Sequence, residues 1–336
     1  MSVSLKDRRI ILIGGAGFVG HNLAIKLHEL GAKVTIIDPM SINNYYSVWL
    51  SKDPNREMYL GFLMQRQRLL DSLKIKTIHV DACDYEFLNM VMKPLEPETV
   101  IHLAAVAHID RSNAYPYKAF QSCLTSLGST LDVCRALGVD HTIFLSSSTA
   151  YGDFPNPVLN EDDSCSPKGV YGTLKFMGEW MVNYYRDTFD MNLTVVRPCA
   201  LYGPRCISGR VIQKFIEAAL TGAPITIQGT GEDKEDFTYI EDFLEGMVRV
   251  IENENSRGEL FNLTSGNARS IKDVADIVNQ HLPTEITYTA RDNQKPSRGT
   301  MSVEKAKDLI GYWPTYDLEA GVKEYIDWYR EDGDMK

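Results

Sequence analysis

In the stretch GVYGTLK (Gly169–Lys175) a tyrosine and a lysine stand four residues apart, one turn apart on the same face of a helix. A phenol of pKa ~10 is a poor base at neutral pH. An ammonium and an oxidised nicotinamide beside it favour the phenolate, which makes it a usable acid–base group. The YxxxK spacing alone is common by chance. Upstream, IFLSSSTAYG (Ile143–Gly152) runs an apolar strand into three consecutive serines, hydroxyls that packing does not require. Nearer the start, GGAGFVG sets Gly14, Gly17 and Gly20 between an apolar run and a helical stripe. The first glycine permits a tight turn and the second lets the backbone approach a pyrophosphate. The third allows close helix–strand packing, and the helix N-terminus supplies partial positive charge. Asp38 ends the following strand, about 20 residues on, where a carboxylate accepts hydrogen bonds from the ribose hydroxyls of NAD. Its charge opposes the 2′-phosphate of NADP, and no arginine follows immediately.

These residues need a scaffold, and the apolar pattern supplies one. RIILIG (Arg9–Gly14) has the length of a strand buried on both faces, and Val19, Leu23, Ile25, Leu27 and Leu30 form a helical stripe closed by Gly31. KVTIID, KTIHV, ETVIHLAA, HTIFLSS and LTVVRP follow as further short runs with helices between them. That alternation implies right-handed crossovers and an α/β, doubly wound parallel sheet of Rossmann type. Past Pro198 the elements shorten, through PITIQG, FNLTSG and SIKDVADIVNQHL. The expectation is a dinucleotide-binding lobe over 1–198 and a smaller α/β substrate lobe drawn mainly from 199–336, with the chain crossing back to the first. Between Asp38 and Val80 lies an insertion, either a packed helix or a mobile lid, and its apolar spacing favours the helix.

Composition narrows the classes. The chain has 336 residues, 44% hydrophobic and 24% charged, with a net charge of −10. That suits an ordinary soluble globular protein and argues against a nucleic-acid or anionic-membrane surface. No apolar run nears the roughly 18 residues of a membrane span, and no signal peptide opens the chain. Cys83, Cys123, Cys134, Cys165, Cys199 and Cys206 are dispersed without a CxxC pair, which favours reduced thiols in the cytoplasm and no metal.

The chain resembles an extended short-chain dehydrogenase/reductase of the NAD-dependent nucleotide-sugar epimerase/dehydratase type. The likeness rests on GGAGFVG, Asp38, VDACD (Val80–Asp84), HLAA (His102–Ala105), SSSTAYG, YGTLK, RPCALYGP, DFTYIED, FNLTSG and the closing KAKDLIGYWPTYDLEAGVKEYIDWY. It covers nearly the whole chain. The resemblance implies Tyr171, Lys175 and Ser147 as the catalytic group, Ser147 lying four residues before the tyrosine of the YG pair. It implies that Gly14, Gly17, Phe18, Val19, Gly20, Asp38, Asp81, Ala82, Leu103, Ala104, Ala105 and Pro198, with Tyr171 and Lys175, hold NAD. Ser146 is expected to tie backbone at the strand end. Relatives that dehydrate sugars carry an acidic pair just after the catalytic hydroxyl. Here Ser148 and Thr149 stand there, and neither can act as a carboxylic acid. That favours an epimerase working through a transient ketone, most simply at C4, over a dehydratase, dehydrogenase or reductase. A non-catalytic dinucleotide sensor is expected to lose the tyrosine or the lysine. NNYYSVW also resembles a stretch of glucuronate 4-epimerases, a hint towards a UDP-uronic acid.

Departures from the family pattern fall at the diphosphate. Ala200 replaces an asparagine, Glu235 replaces an arginine, and Cys123 replaces an asparagine that orders the active-site helix. With Ser148 and Thr149, Arg205, Arg291 and Arg298 are the substrate-binding candidates, each alternatively a surface arginine; Arg210 is a weaker one. EDKED (Glu232–Asp236) reads as a solvated loop. His102 is expected to order a strand end, and His108, Arg111 and Lys168 to line the pocket or face solvent. Cys123 and Cys199 are possible neighbours of the nicotinamide. Relatives pair through the helix after HLAA and the YxxxK helix, so a homodimer is expected.

Overall fold

The computed structural model describes residues 3–41, 44–105, 109–291 and 296–331. Expectations for His108, and for the side chain of Arg111, lie outside the described residues. Six of the apolar runs form strands, β1 (Arg9–Ile13), β2 (Lys33–Ile37), β3 (Lys76–Ile78), β4 (Thr99–His102), β5 (His141–Leu145) and β6 (Leu193–Pro198). A seventh, β7 (Leu260–Leu263), joins them in one sheet of order β7-β6-β5-β4-β1-β2-β3. Every neighbouring pair runs parallel. Buried on both faces, these strands need the continuous apolar composition seen in RIILI and HTIFL. The order reverses between β1 and β4, so a crevice opens beyond the carboxyl ends of the strands, where ligands of such sheets bind. β7 comes from FNLTSG, a stretch expected among the shorter elements. It pairs Leu260–Leu263 with Val195–Pro198, so the chain returns to the large sheet from beyond residue 199.

Two helices carry the site, α1 (Phe18–Glu29) after β1 and the 21-residue α4 (Gly169–Phe189) before β6, with α2 (Arg56–Ser72) and α3 (Ser126–Leu137) between them in sequence. α2 lies within the insertion and is packed. Tyr59, Phe62, Leu63 and Leu70 are buried, and the Phe62 ring sits 4.8 Å from Trp328. Tyr59 donates a 2.6 Å hydrogen bond to Glu217, which lies on α5 (Val211–Leu220). Burial of such side chains contributes about 1.5–3 kcal/mol each, enough to hold a segment this size as structure. Short strand pairs build the remainder. Lys234–Glu235 pairs antiparallel with Arg269–Ser270, and Thr300–Met301 pairs parallel with Val158–Leu159. Among the described residues no helix is long and apolar enough to cross a membrane. All six cysteines are free.

Three buried histidines couple this fold to pH. Burial, with Lys175 nearby, pushes His102 down to about 3. Burial, with Arg257 and Arg8 nearby, does the same for His141. Burial also holds His21 well below its ordinary value. Each is neutral in the fold but takes a proton near pH 6.5 once unfolded. Their stability is therefore present above pH 6.5 and lost as the pH falls towards 3. Urea denaturation should show stability falling below pH 6.5 by up to about 1.4 kcal/mol per pH unit per histidine. A flat profile from pH 7 to 5 would contradict it.

Candidate active site

The glycine loop is built for close approach. Gly14 sits at φ +77°, and a Cβ there would lie 2.7 Å from the Ala104 backbone beyond β4. A Cβ on Gly20 would lie 2.4 Å from the Gly15 carbonyl oxygen, so α1 rests directly on the loop. Gly17 caps α1 without any side-chain hydrogen bond, which leaves first-turn N–H groups for an anion. Asp38 accepts from the Ala16 N–H (3.0 Å) and the Met40 N–H (2.8 Å), one on each oxygen. Each oxygen keeps a lone pair for a ribose hydroxyl. Burial raises the Asp38 pKa, and the two N–H groups oppose that rise. Phe18 and Val19 open α1 and pack on the main core. Asp81 and Ala82 follow β3, Leu103 to Ala105 follow β4, and Pro198 ends β6. All lie at the carboxyl edge of one sheet, a cradle that fits a dinucleotide.

The candidate acid–base group stands on the same edge. Lys175 is buried, and its ammonium donates a 2.6 Å hydrogen bond to the carbonyl of Leu145, the last residue of β5. It lies 5.9 Å from the centre of the Tyr171 ring. Burial lowers the Lys175 pKa, while Cys123 and Glu179 raise it. Ser147 follows Leu145 by two residues and hydrogen-bonds to Tyr171. Burial pushes Tyr171 up to about 12, with Cys123 adding to it; Arg210, the Ser147 hydroxyl and Arg298 pull it down. Ser147 also caps a short turn, Ser148–Ala150, accepting the Thr149 N–H at 3.2 Å. The strand end thus presents a hydroxyl, a phenol and an ammonium together, the set needed to move a proton at a sugar carbinol.

Ser146 behaves differently from expectation. It donates to the Glu179 carboxylate rather than tying backbone. Glu179 follows Lys175 by one turn of α4 and receives a bidentate pair from Arg197 of β6, at 2.8 and 2.6 Å. Both side chains are buried. Sequence reasoning missed this pair, although the i,i+4 spacing from Lys175 was a usable signal.

The substrate candidates divide. Arg298 is brought to the serines, with Nη1 at 3.1 Å from Ser148 Oγ and 3.1 Å from Glu235 Oε2. Arg205 buttresses the N-terminal part of α1, bonding His21 Nε2 at 3.1 Å and Asn22 at 2.8 Å. Arg291 holds Asp233 bidentately at 2.8 and 2.9 Å. Arg210 acts on Tyr171, which its position in the sequence did not reveal. The run EDKED is not a solvated loop. Asp233 and Glu235 carry those arginine pairs, and Asp236 is buried among Ser265, Thr264 and the Met301 N–H. Lys168 pairs with Asp153. His102 is buried and bonds Ser126 Oγ at 3.0 Å. Cys199 lies 3.7 Å from Glu235, and burial, then Glu235, pushes its thiol up to about 12, so it stays protonated. Cys123 sits in a π-turn, Gln121–Thr125, between the helix Pro116–Phe120 and α3.

Two outcomes follow. Ser147→Ala removes a bond that lowers the Tyr171 pKa, so the rising limb of its kcat/KM against pH should move to higher pH; an unmoved limb would separate Ser147 from Tyr171. Ala200 has φ +39°, a left-handed conformation that costs an alanine roughly 1–2 kcal/mol and that asparagine tolerates better. Ala200→Asn should therefore raise the melting temperature, and a lowered one would place the strain elsewhere.

Comparison with known proteins matches this geometry. The model of the NAD dependent epimerase/dehydratase family fits residues 10–264. A UDP-N-acetyl-alpha-D-glucosaminuronate decarboxylase of Bacillus cytotoxicus is 28% identical, over 96% of this chain and 98% of that protein. UDP-glucuronate 4-epimerase 1 of Arabidopsis thaliana is 27% identical, over 95% of this chain and 76% of its own length. The solved structure of an epimerase from Methanothermobacter thermautotrophicus superposes with a TM-score of 0.83 at 26% identity, over 98% of this chain and 94% of that one. The glycine cradle, Asp38 and the Tyr171–Lys175 pair at the sheet edge therefore belong to a chain of the NAD-dependent epimerase/dehydratase family, built as an extended short-chain dehydrogenase/reductase with NAD as its cofactor.

Proposed function

We propose that this protein is an NAD-dependent 4-epimerase of a nucleotide sugar, most simply a UDP-sugar. The observation that carries this is the strand end itself. Ser147, Tyr171 and Lys175 provide for oxidation of one carbinol, while Ser148 and Thr149 beside them carry no carboxyl group to expel water. In this reading Ser147 hydrogen-bonds the reacting sugar hydroxyl and Tyr171 takes its proton. Lys175, fixed by the Leu145 carbonyl, favours the phenolate form of Tyr171 that accepts this proton. Bound NAD would supply the acceptor for the carbon's hydride and the donor for its return to the opposite face of the ketone. Tyr171 then gives the proton back, so neither proton nor electron is left over. Arg291 is proposed for the diphosphate end, exchanging Asp233 for phosphate, and Arg298 for the sugar.

A homodimer is proposed from α4, where Met177, Trp180 and Tyr184 form an exposed apolar stripe, Trp180 being 67% exposed. Sedimentation at micromolar concentration should give twice the chain mass, and a monomeric mass would contradict the proposal. For the activity, protein purified without added cofactor should release NAD on denaturation. It should also convert a UDP-sugar into its C4 epimer by proton NMR, with no net NADH. Tyr171→Phe should lower turnover by roughly 10²–10⁴-fold with NAD binding largely intact. An empty protein consuming added cofactor mole for mole would make it a dehydrogenase or reductase instead.

A further inference from the structure

The turn that opens α1 is aimed by side chains lying behind it. Phe18 and Val19 carry the first two N–H groups of the helix, which have no partner within it. A peptide unit is planar, so the direction of one carbonyl sets the direction of the next residue's N–H. The Gly17 carbonyl accepts from His21 Nδ1 at 2.9 Å, and the Phe18 carbonyl accepts from Asn22 Nδ2 at 3.0 Å. These two bonds hold the planes that carry the Phe18 and Val19 N–H groups. His21 and Asn22 are both buried, and both meet one further side chain. Arg205 donates from Nε to His21 Nε2 at 3.1 Å and from Nη2 to Asn22 Oδ1 at 2.8 Å. A guanidinium cannot accept, so Nε2 is bare and the ring proton sits on Nδ1, facing Gly17. Burial, with Arg66 and Arg205 nearby, keeps a second proton off the ring.

Arg205 is itself held from behind. It lies in the turn between the Leu201–Tyr202 strand and α5, at φ +61°, a conformation that a residue other than glycine keeps only where its surroundings enforce it. Buried Arg66 of α2 supplies that enforcement by donating from both Nε and Nη2 to the Arg205 carbonyl.

We infer that Arg205 and His21 are positioning residues for the cofactor, a relay through which the insertion and the chain beyond β6 aim the Phe18 and Val19 N–H groups at the pyrophosphate of NAD. This goes beyond the epimerase reading and holds whichever reaction follows. Without Arg205, buried His21 Nε2 and Asn22 Oδ1 lose their donor, and the imidazole is free to take the other tautomer, which has nothing to give the Gly17 carbonyl. The relay also gives the insertion a task, since α2 grips the backbone of the residue that grips α1. Arg210, in the same segment as Arg205, acts on Tyr171, so one short stretch serves both the cofactor turn and the phenol.

The test loads the full chain with isotopically labelled NAD and chases it with excess ordinary NAD. The label still bound is followed by mass spectrometry, and each variant's melting temperature is measured alongside. Arg205→Gln and His21→Leu should release the label at least about tenfold faster than the natural chain. His21→Gln, whose amide offers both a donor and an acceptor, should stay within about threefold of it. Arg205→Lys keeps the charge but loses the planar fork, so it should also release faster, and it keeps the inference exposed if the His21 variants fail to fold. Release as slow as in the natural chain from both Arg205 variants overturns the inference. So does release from His21→Gln as fast as from His21→Leu, or acceleration that follows the fall in melting temperature across the whole set.

Discussion

A buried ammonium sets the geometry of this site. Lys175 carries its charge where water does not reach, and the Leu145 carbonyl, accepting from it at 2.6 Å, helps to offset that burial. One bond therefore fixes the face of α4 against the end of β5. Tyr171 follows by helical spacing and Ser147 by strand spacing, so the phenol and the hydroxyl meet without further adjustment. The ring of Phe144, 4.9 Å from the ammonium, closes the apolar side. One turn along, Glu179 repeats the device by joining Ser146 and Arg197 to the same helix. The helix is thus pinned to β5 and β6 at successive turns.

That rigidity leaves the phenol a poor base on its own account. Burial raises Tyr171, and the protein answers with Ser147, Arg210 and Arg298. The same arginine that helps the phenolate pairs with Glu235, so the departure at residue 235 has its compensation sixty-three residues away in sequence.

The sequence displayed its fold wherever the signal was local. Strands β1, β2, β4, β5 and β6 lie in short, largely apolar runs, and the glycine loop is a seven-residue motif whose steric reasons hold at Gly14 and Gly20. β7 was hidden because a four-residue run shows no period and its partner β6 lies more than sixty residues earlier. The contacts of Arg205 were hidden for a related cause. Its partners His21 and Asn22 are 184 and 183 residues away, and nothing in the residue's own neighbourhood reveals them. The EDKED run failed because charge density suggests solvent, whereas Asp236 is buried and accepts hydrogen bonds from two distant segments, Thr264–Ser265 and Met301.

The central claim is that one carbon loses its hydride and receives the same hydride back. The most direct measurement gives the protein a UDP-sugar deuterated at C4, with only the NAD it retains, in ordinary water. The account predicts an epimeric product with deuterium still at C4. Hydrogen at C4 in the product, or deuterium found in released NADH, would contradict it.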